Sequence, residues 1–253
     1  MSKFPRWSVA LVPALVAACD SGTGPGSAVS LSFASRDPAV AAVAPLFSVA
    51  GIAGDTIRSG ADVLILDKVE IVLKQIELEG QEVSDCDVSP KPAACQDFKS
   101  DPLVLDLPLG PGAQQHVAVD VPPGTYDEVE FEIHKLTSGD SRDVALRALR
   151  PDLVDRSIRV QGTFNGTAFT YESDLDVEQE LKLPEPLVVT DASSTNLTVR
   201  IAIAQWFRTG AGVLVDPVTA NKGGANEGLV KENIKNSVKA FEDRDGDGDD
   251  RDN

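Results

Sequence analysis

The run Asp243-Arg244-Asp245-Gly246-Asp247-Gly248-Asp249-Asp250 sets carboxylates at alternate positions, the spacing at which a loop wraps oxygen ligands around a hard divalent cation. With Asp243 as position 1, Asp245 and Asp247 take positions 3 and 5, Gly248 takes position 6, and Asp249 follows it. Position 12, where a bidentate Glu closes a calcium cage, falls just past Asn253. Such a half-loop would hold Ca²⁺ at about millimolar levels, as extracellular modules do. The plainer reading of the same aspartates is a solvated, disordered acidic tail that gathers cations diffusely. Ca²⁺ is the one cofactor these residues suggest.

Catalytic chemistry has no comparable signal. His116 and His134 are the two histidines. They fall on separate expected strands, and without a third histidine or a paired cysteine each reads as a surface strand residue rather than a ligand or base. No Gly-x-Ser-x-Gly elbow, His-Glu-x-x-His helix or phosphate-cradling glycine loop occurs. Glu128, Glu130 and Glu132 alternate with Val129, Phe131 and Ile133, a strand with one face to the core and one acidic face to water. Carboxylates of that kind serve glycoside hydrolysis only when the fold holds two of them about 5 to 10 Å apart in a cleft. Trp206 and Phe207 read as core or as a helix-docking contact, ahead of a ligand platform.

The three cysteines divide by position. Lys3 and Arg6 precede an apolar stretch from Trp7 to Ala18, and small residues lead up to Cys19, the layout of a secretory signal. The stretch is about a dozen residues, short of the roughly 20 that a spanning helix needs, and Pro13 interrupts it. Val16-Ala17-Ala18-Cys19 resembles the lipobox cut by lipoprotein signal peptidase. That resemblance implies a mature chain beginning at Cys19, with diacylglycerol on its sulfur and a further acyl chain on its amine. Two chains anchor stably where one holds only marginally. Cys86 and Cys95 sit in a loop rich in Pro, Ser and Asp; in an oxidising compartment a local disulfide is the natural reading, adding about 2.7 kcal/mol by the chain-entropy relation.

Loss of residues 1 to 18 removes Lys3 and Arg6 and moves the formal charge from −17 to −19. So acidic a chain repels phosphate backbones and anionic surfaces, which excludes nucleic acid as a partner and favours divalent cations.

The elements that must position these residues are mostly strands. Val29 to Ala34 is a first short strand. Val63 and Ile65, then Val69, Ile71 and Leu73, alternate with polar residues, and the apolar phase shifts to Ile76 and Leu78, which places a bulge near Lys74 and Gln75. A helix through Leu64, Ile71 and Leu78 competes with that reading. Leu103 to Leu107 and Val117 to Val121 are further strands, followed by the turn Pro122-Pro123-Gly124-Thr125-Tyr126. Asp143 to Arg150, ended by Pro151, reads as a short helix. Asn165-Gly166 between Phe164 and Phe169 signals a two-residue type I′ hairpin. Leu181 to Val189 and Leu197 to Ile203 complete seven to nine strands. Val230, Ile234, Val238 and Phe241 share one face at helical spacing, predicting an amphipathic helix over Asn226 to Phe241.

The expected fold is therefore all-β, an antiparallel sandwich or barrel with a C-terminal amphipathic helix and a disordered acidic tail. The expected organisation is a signal (1–18), a flexible Gly/Ser-rich tether (19–30), the sandwich (31–207), a loop and packed helix (208–241) and the tail (242–253).

The segment from Ala61 to Leu136 resembles an uncharacterised family of bacterial β-sandwich lipoproteins, a domain of unknown function. The likeness rests on the long strand Val63 to Leu78, the Leu105-Asp106-Leu107 strand, and the Pro-Gly-x-Tyr turn at Pro123 to Tyr126 that opens a Val-x-Phe-x-Ile strand. The resemblance implies an exported, mainly antiparallel sandwich of prealbumin or immunoglobulin type and carries no known reaction. The function expected from all this is a membrane-anchored, non-enzymatic cell-envelope module binding a protein or carbohydrate ligand, with calcium as a stabiliser. The alternative is an envelope hydrolase whose carboxylates converge only in the fold.

Overall fold

The structure, a computed structural model, describes residues 28–35, 54–80, 97–110, 114–190 and 195–242. Cys19, Cys86, Cys95 and the aspartates from Asp243 to Asp249 lie outside them, so the expected lipid site, the expected disulfide and the expected calcium half-loop fall outside the described residues.

Two sheets pack face to face. The smaller runs in the order β12 (Val238–Glu242), β11 (Thr195–Ile201), β1 (Ala28–Ala34), β6 (Gln114–Asp120). The larger runs β10 (Val177–Val189), β7 (Gly124–Ile133), β3 (Asp62–Gly80), β8 (Ile158–Phe164), β9 (Thr167–Ser173), with β2 (Asp55–Ser59), β4 (Phe98–Lys99) and β5 (Leu103–Asp106) also pairing β3. Among the described residues, all strand pairings are antiparallel except β1 with β11. The sheets do not close into a barrel, and the chain is a mainly β sandwich. Among the described residues no helix is long and apolar enough to cross a membrane.

The core between the sheets is built by alternation. Leu31 and Phe33 of β1 and Leu197, Val199 and Ile201 of β11 face Leu64, Leu66, Val69, Ile71, Leu73, Ile76 and Leu78 of β3. The β3 series skips a residue twice, between Leu66 and Val69 and between Leu73 and Ile76, and at both places the strand carries an extra residue against its partner. The second bulge falls at Lys74 and Gln75, where the sequence places it, and the helical alternative for this segment is set aside. Gly162 pairs with Leu66 at the first bulge, where an added Cβ would lie 1.9 Å from the Ile65 carbonyl oxygen, so only glycine fits. The hairpin between β8 and β9 has Asn165 at φ 50° and Gly166 at φ 80°, the type I′ geometry that this dipeptide favours. Tyr126, fully buried, donates its hydroxyl to the Pro122 carbonyl at 2.8 Å and ties the Pro-Pro-Gly turn to the strand it opens.

Two expectations change. The first strand begins at Ala28, inside the stretch expected as tether. The C-terminal helix is shorter than predicted: α2 spans Glu227–Lys235, and Val238 to Glu242 form β12 beside β11. Val230 and Ile234 anchor α2 under Trp206 and Phe207, both buried. The Trp206 indole nitrogen donates to Ser237 Oγ at 2.9 Å, and Phe207 meets Tyr171 edge-on with ring centres 5.2 Å apart. Trp206 and Phe207 are thus core and helix dock.

The segment between β7 and β8 leaves the sheet and folds back over its outer face. It holds the short helix α1 (Val144–Leu149), close to the predicted span, whose Leu146 joins Leu136, Leu153 and Val72 in a separate small apolar cluster.

Candidate functional site

The outer face of the large sheet carries three groups of ionisable side chains in order along β3. At one end Glu70, buried, takes salt bridges from Lys68 (2.8 Å), Arg150 (2.7 Å) and Arg159 (2.7 Å). Arg150 and Arg159 also share Asp152, at 2.8 and 2.6 Å. Burial by itself pushes the Glu70 carboxyl up, but the hydrogen bonds from Lys68, Arg159 and Arg150 outweigh it and hold the group below the usual carboxylate range. Arg150 starts just after α1 and Arg159 lies on β8, so this cluster clamps the outer excursion to the sheet.

At the other end the acids outnumber the cations. Register places Glu77 of β3, Glu130 of β7 and Glu180 of β10 in one row, and Glu79, Glu128 and Lys182 in the next. Glu132 of β7 pairs with Glu178 of β10. Lys99 reaches Glu77 at 2.7 Å and Lys74 reaches Glu132 at 2.8 Å, leaving more carboxylates than cations in the lattice. Like charges directly across a ladder repel. The lattice relieves this by keeping a proton: the Glu130 carboxyl, hydrogen-bonded to Glu178, buried, and beside Glu178, Glu77 and Glu79, is pushed up to about 8. Burial and the neighbouring Glu128, Glu77 and Asp97 raise Glu79 as well. The expected solvated acidic face is corrected here. Glu77 is 4% and Glu130 9% exposed, with Lys99 against Glu77 and Glu178 against Glu130.

Comparison with family models, curated proteins and solved structures finds no match.

Between these groups sits His134, immediately after β7. The sequence suggested a surface strand residue, but His134 is 5% exposed, with Nε2 2.9 Å from Asp143 Oδ2. Asp143 is fully buried at the start of α1 and also accepts the Thr137 amide at 2.7 Å. His116 lies on β6 of the other sheet, opposite Ser32. A cleft of about 330 Å³ opens where β10 and β12 approach, lined by Glu180, Leu181, Lys182, Pro184, Val238 and Lys239. It offers one acid and two lysines at the edge of the lattice.

Sequence reasoning found the glutamates of β7 but not their partners on β3 and β10, which only the strand order brings together. It passed over His134, whose partners lie at Asp143 and, across the β7–β10 ladder, at Asp176. The signal available beforehand was the repeated Glu-x-Glu pattern in three separate strands, including Glu77 and Glu79, and Glu178 and Glu180.

Proposed function

We propose that this chain is an exported lipoprotein, held to the inner or outer membrane by lipid on Cys19, that acts as a non-enzymatic binding module of the cell envelope. Its binding surface is the glutamate lattice on the outer face of the large sheet, and its ligands are cationic, divalent cations foremost. The observation that supports this is the strand register that sets Glu77, Glu79, Glu128, Glu130, Glu132, Glu178 and Glu180 side by side on one face, where the Glu130 carboxyl is pushed up to about 8. A surface that must hold a proton near neutral pH to relieve its own repulsion gains most from a cation that replaces it. The oxygen-only donor set suits Ca²⁺ or Mg²⁺. The family resemblance of Ala61 to Leu136 and the lipobox agree with an exported, displayed sandwich.

Two experiments test the reading. Cys19→Ser should move the protein from the membrane to the soluble fraction of the envelope; retention on the membrane sinks the anchor. Calorimetric titration with Ca²⁺ should show binding that Glu77→Gln with Glu130→Gln weakens and that Asn at Asp243, Asp245, Asp247 and Asp249 leaves largely in place. The reverse pattern would assign calcium to the tail.

One observation favours a second reading. A carboxyl neutral at pH 7 and hydrogen-bonded to a carboxylate, as Glu130 is to Glu178, is the arrangement of an acid and base pair, and would serve an envelope hydrolase. Turnover of a glycan or peptide that Glu130→Gln abolishes would favour that reading over the binding module.

A further inference from the structure

We propose that Glu132, His134 and Asp176 form a binding site for one borderline divalent metal ion, Zn²⁺ foremost, with Asp143 orienting the histidine from behind. The site shares Glu132 with the glutamate lattice but selects a different class of ion, since an imidazole donor suits Zn²⁺ and not Ca²⁺.

Strand register assembles it. Ile133, the last residue of β7, pairs with Val177, the first of β10, so His134 and Asp176 face each other one step further along the same ladder. Glu132, two residues before His134, shares its face. Ligand atoms of the three side chains lie within 4.8 Å of one another.

The histidine is prepared for such a role. Asp143 is buried and its Oδ2 already accepts the Thr137 amide, so the 2.9 Å contact with His134 Nε2 is donated by the ring. In the neutral ring this leaves the lone pair on Nδ1. This atom is buried and has no hydrogen-bond partner, a costly state for a polar atom. Asp176 Oδ2 lies 3.7 Å from it. That is too long for a hydrogen bond, but near the roughly 3.4 Å edge of a tetrahedron with metal-ligand bonds of about 2.1 Å. A carboxylate behind a histidine, opposite its metal-binding nitrogen, is the usual outer support of such a site. Lys74 grips Glu132 Oε1 at 2.8 Å and leaves the second oxygen for the ion. Asp176 has its side chain 55% exposed, so the ion enters from solvent on that side and a fourth position stays open to water.

The test is titration of the full mature chain with Zn²⁺ near neutral pH, by calorimetry, with Co²⁺ as a visible probe. One equivalent should bind at about micromolar concentration, and Co²⁺ should show tetrahedral d–d absorption. Asp176→Asn, at an exposed position, should weaken binding at least about tenfold while leaving the circular dichroism unchanged; Asp143→Asn should weaken it by about 10- to 100-fold. His134→Gln should remove the Co²⁺ spectrum. Absence of Zn²⁺ binding below about millimolar, or binding that Asp176→Asn leaves unchanged because cysteines or the acidic tail hold the ion, overturns the proposal.

Discussion

Glu130→Gln removes the titrating proton from the glutamate lattice while keeping its shape and a donor for Glu178. In the unfolded chain Glu130 ionises near 4.5, whereas in the fold it holds its proton up to about 8. A folded value above the unfolded one means that the group's contribution is fully present below about pH 4.5 and is lost as pH rises to about 8. The full difference at about 1.4 kcal/mol per unit is an upper bound. Solvent screening at the sheet's outer face reduces it to about 2 kcal/mol. The glutamine chain should match the parent near pH 4 and exceed it by about 2 kcal/mol above pH 8, with the gap opening in between. Urea denaturation at four pH values measures this, and with a slope of about 2 to 3 kcal/mol per molar the midpoint should rise by about 1 M at the alkaline end. A constant difference across pH, or a glutamine chain less stable at pH 8, would refute the proton-keeping lattice.

Two further substitutions probe what positions the site. Glu70→Ala should cost about 2 to 3 kcal/mol at neutral pH, less than the loss of an isolated buried pair, because Arg150 and Arg159 keep Asp152; an unchanged denaturation midpoint would contradict the clamp. Gly162→Ala drives a methyl group into the Ile65 carbonyl and should cost about 3 kcal/mol or more, visible as a large drop in Tm, whereas Gly228→Ala on α2 meets open space and should not destabilise.

Much of the fold was legible because its signals are local. The Asn165-Gly166 turn needs only two residues with positive φ, and the Leu73 to Ile76 phase shift shows the bulge within one strand. The helix end was not legible. Val230, Ile234, Val238 and Phe241 fit a helical period, and what ends the helix is the pairing of Val199 with Ala240 and Ile201 with Val238, a partnership some 40 residues apart. The candidate sites were hidden for the same reason. Glu128, Glu130 and Glu132 look like any solvated strand face until β3 and β10 lay their own glutamates alongside. His134 looks solitary until Asp143 folds over it and Asp176 arrives from the neighbouring strand. Acid content was plain in the composition; its concentration on one face is a property of strand order.

The most direct test of the binding surface is to count protons as Ca²⁺ is added. In weakly buffered solution near pH 7, cation binding to the lattice should displace the Glu130 proton, acidify the solution by up to about one proton per ion bound, and do so no longer in Glu130→Gln. Calcium uptake without proton release, or release that the substitution leaves unchanged, would contradict the lattice as the site of binding.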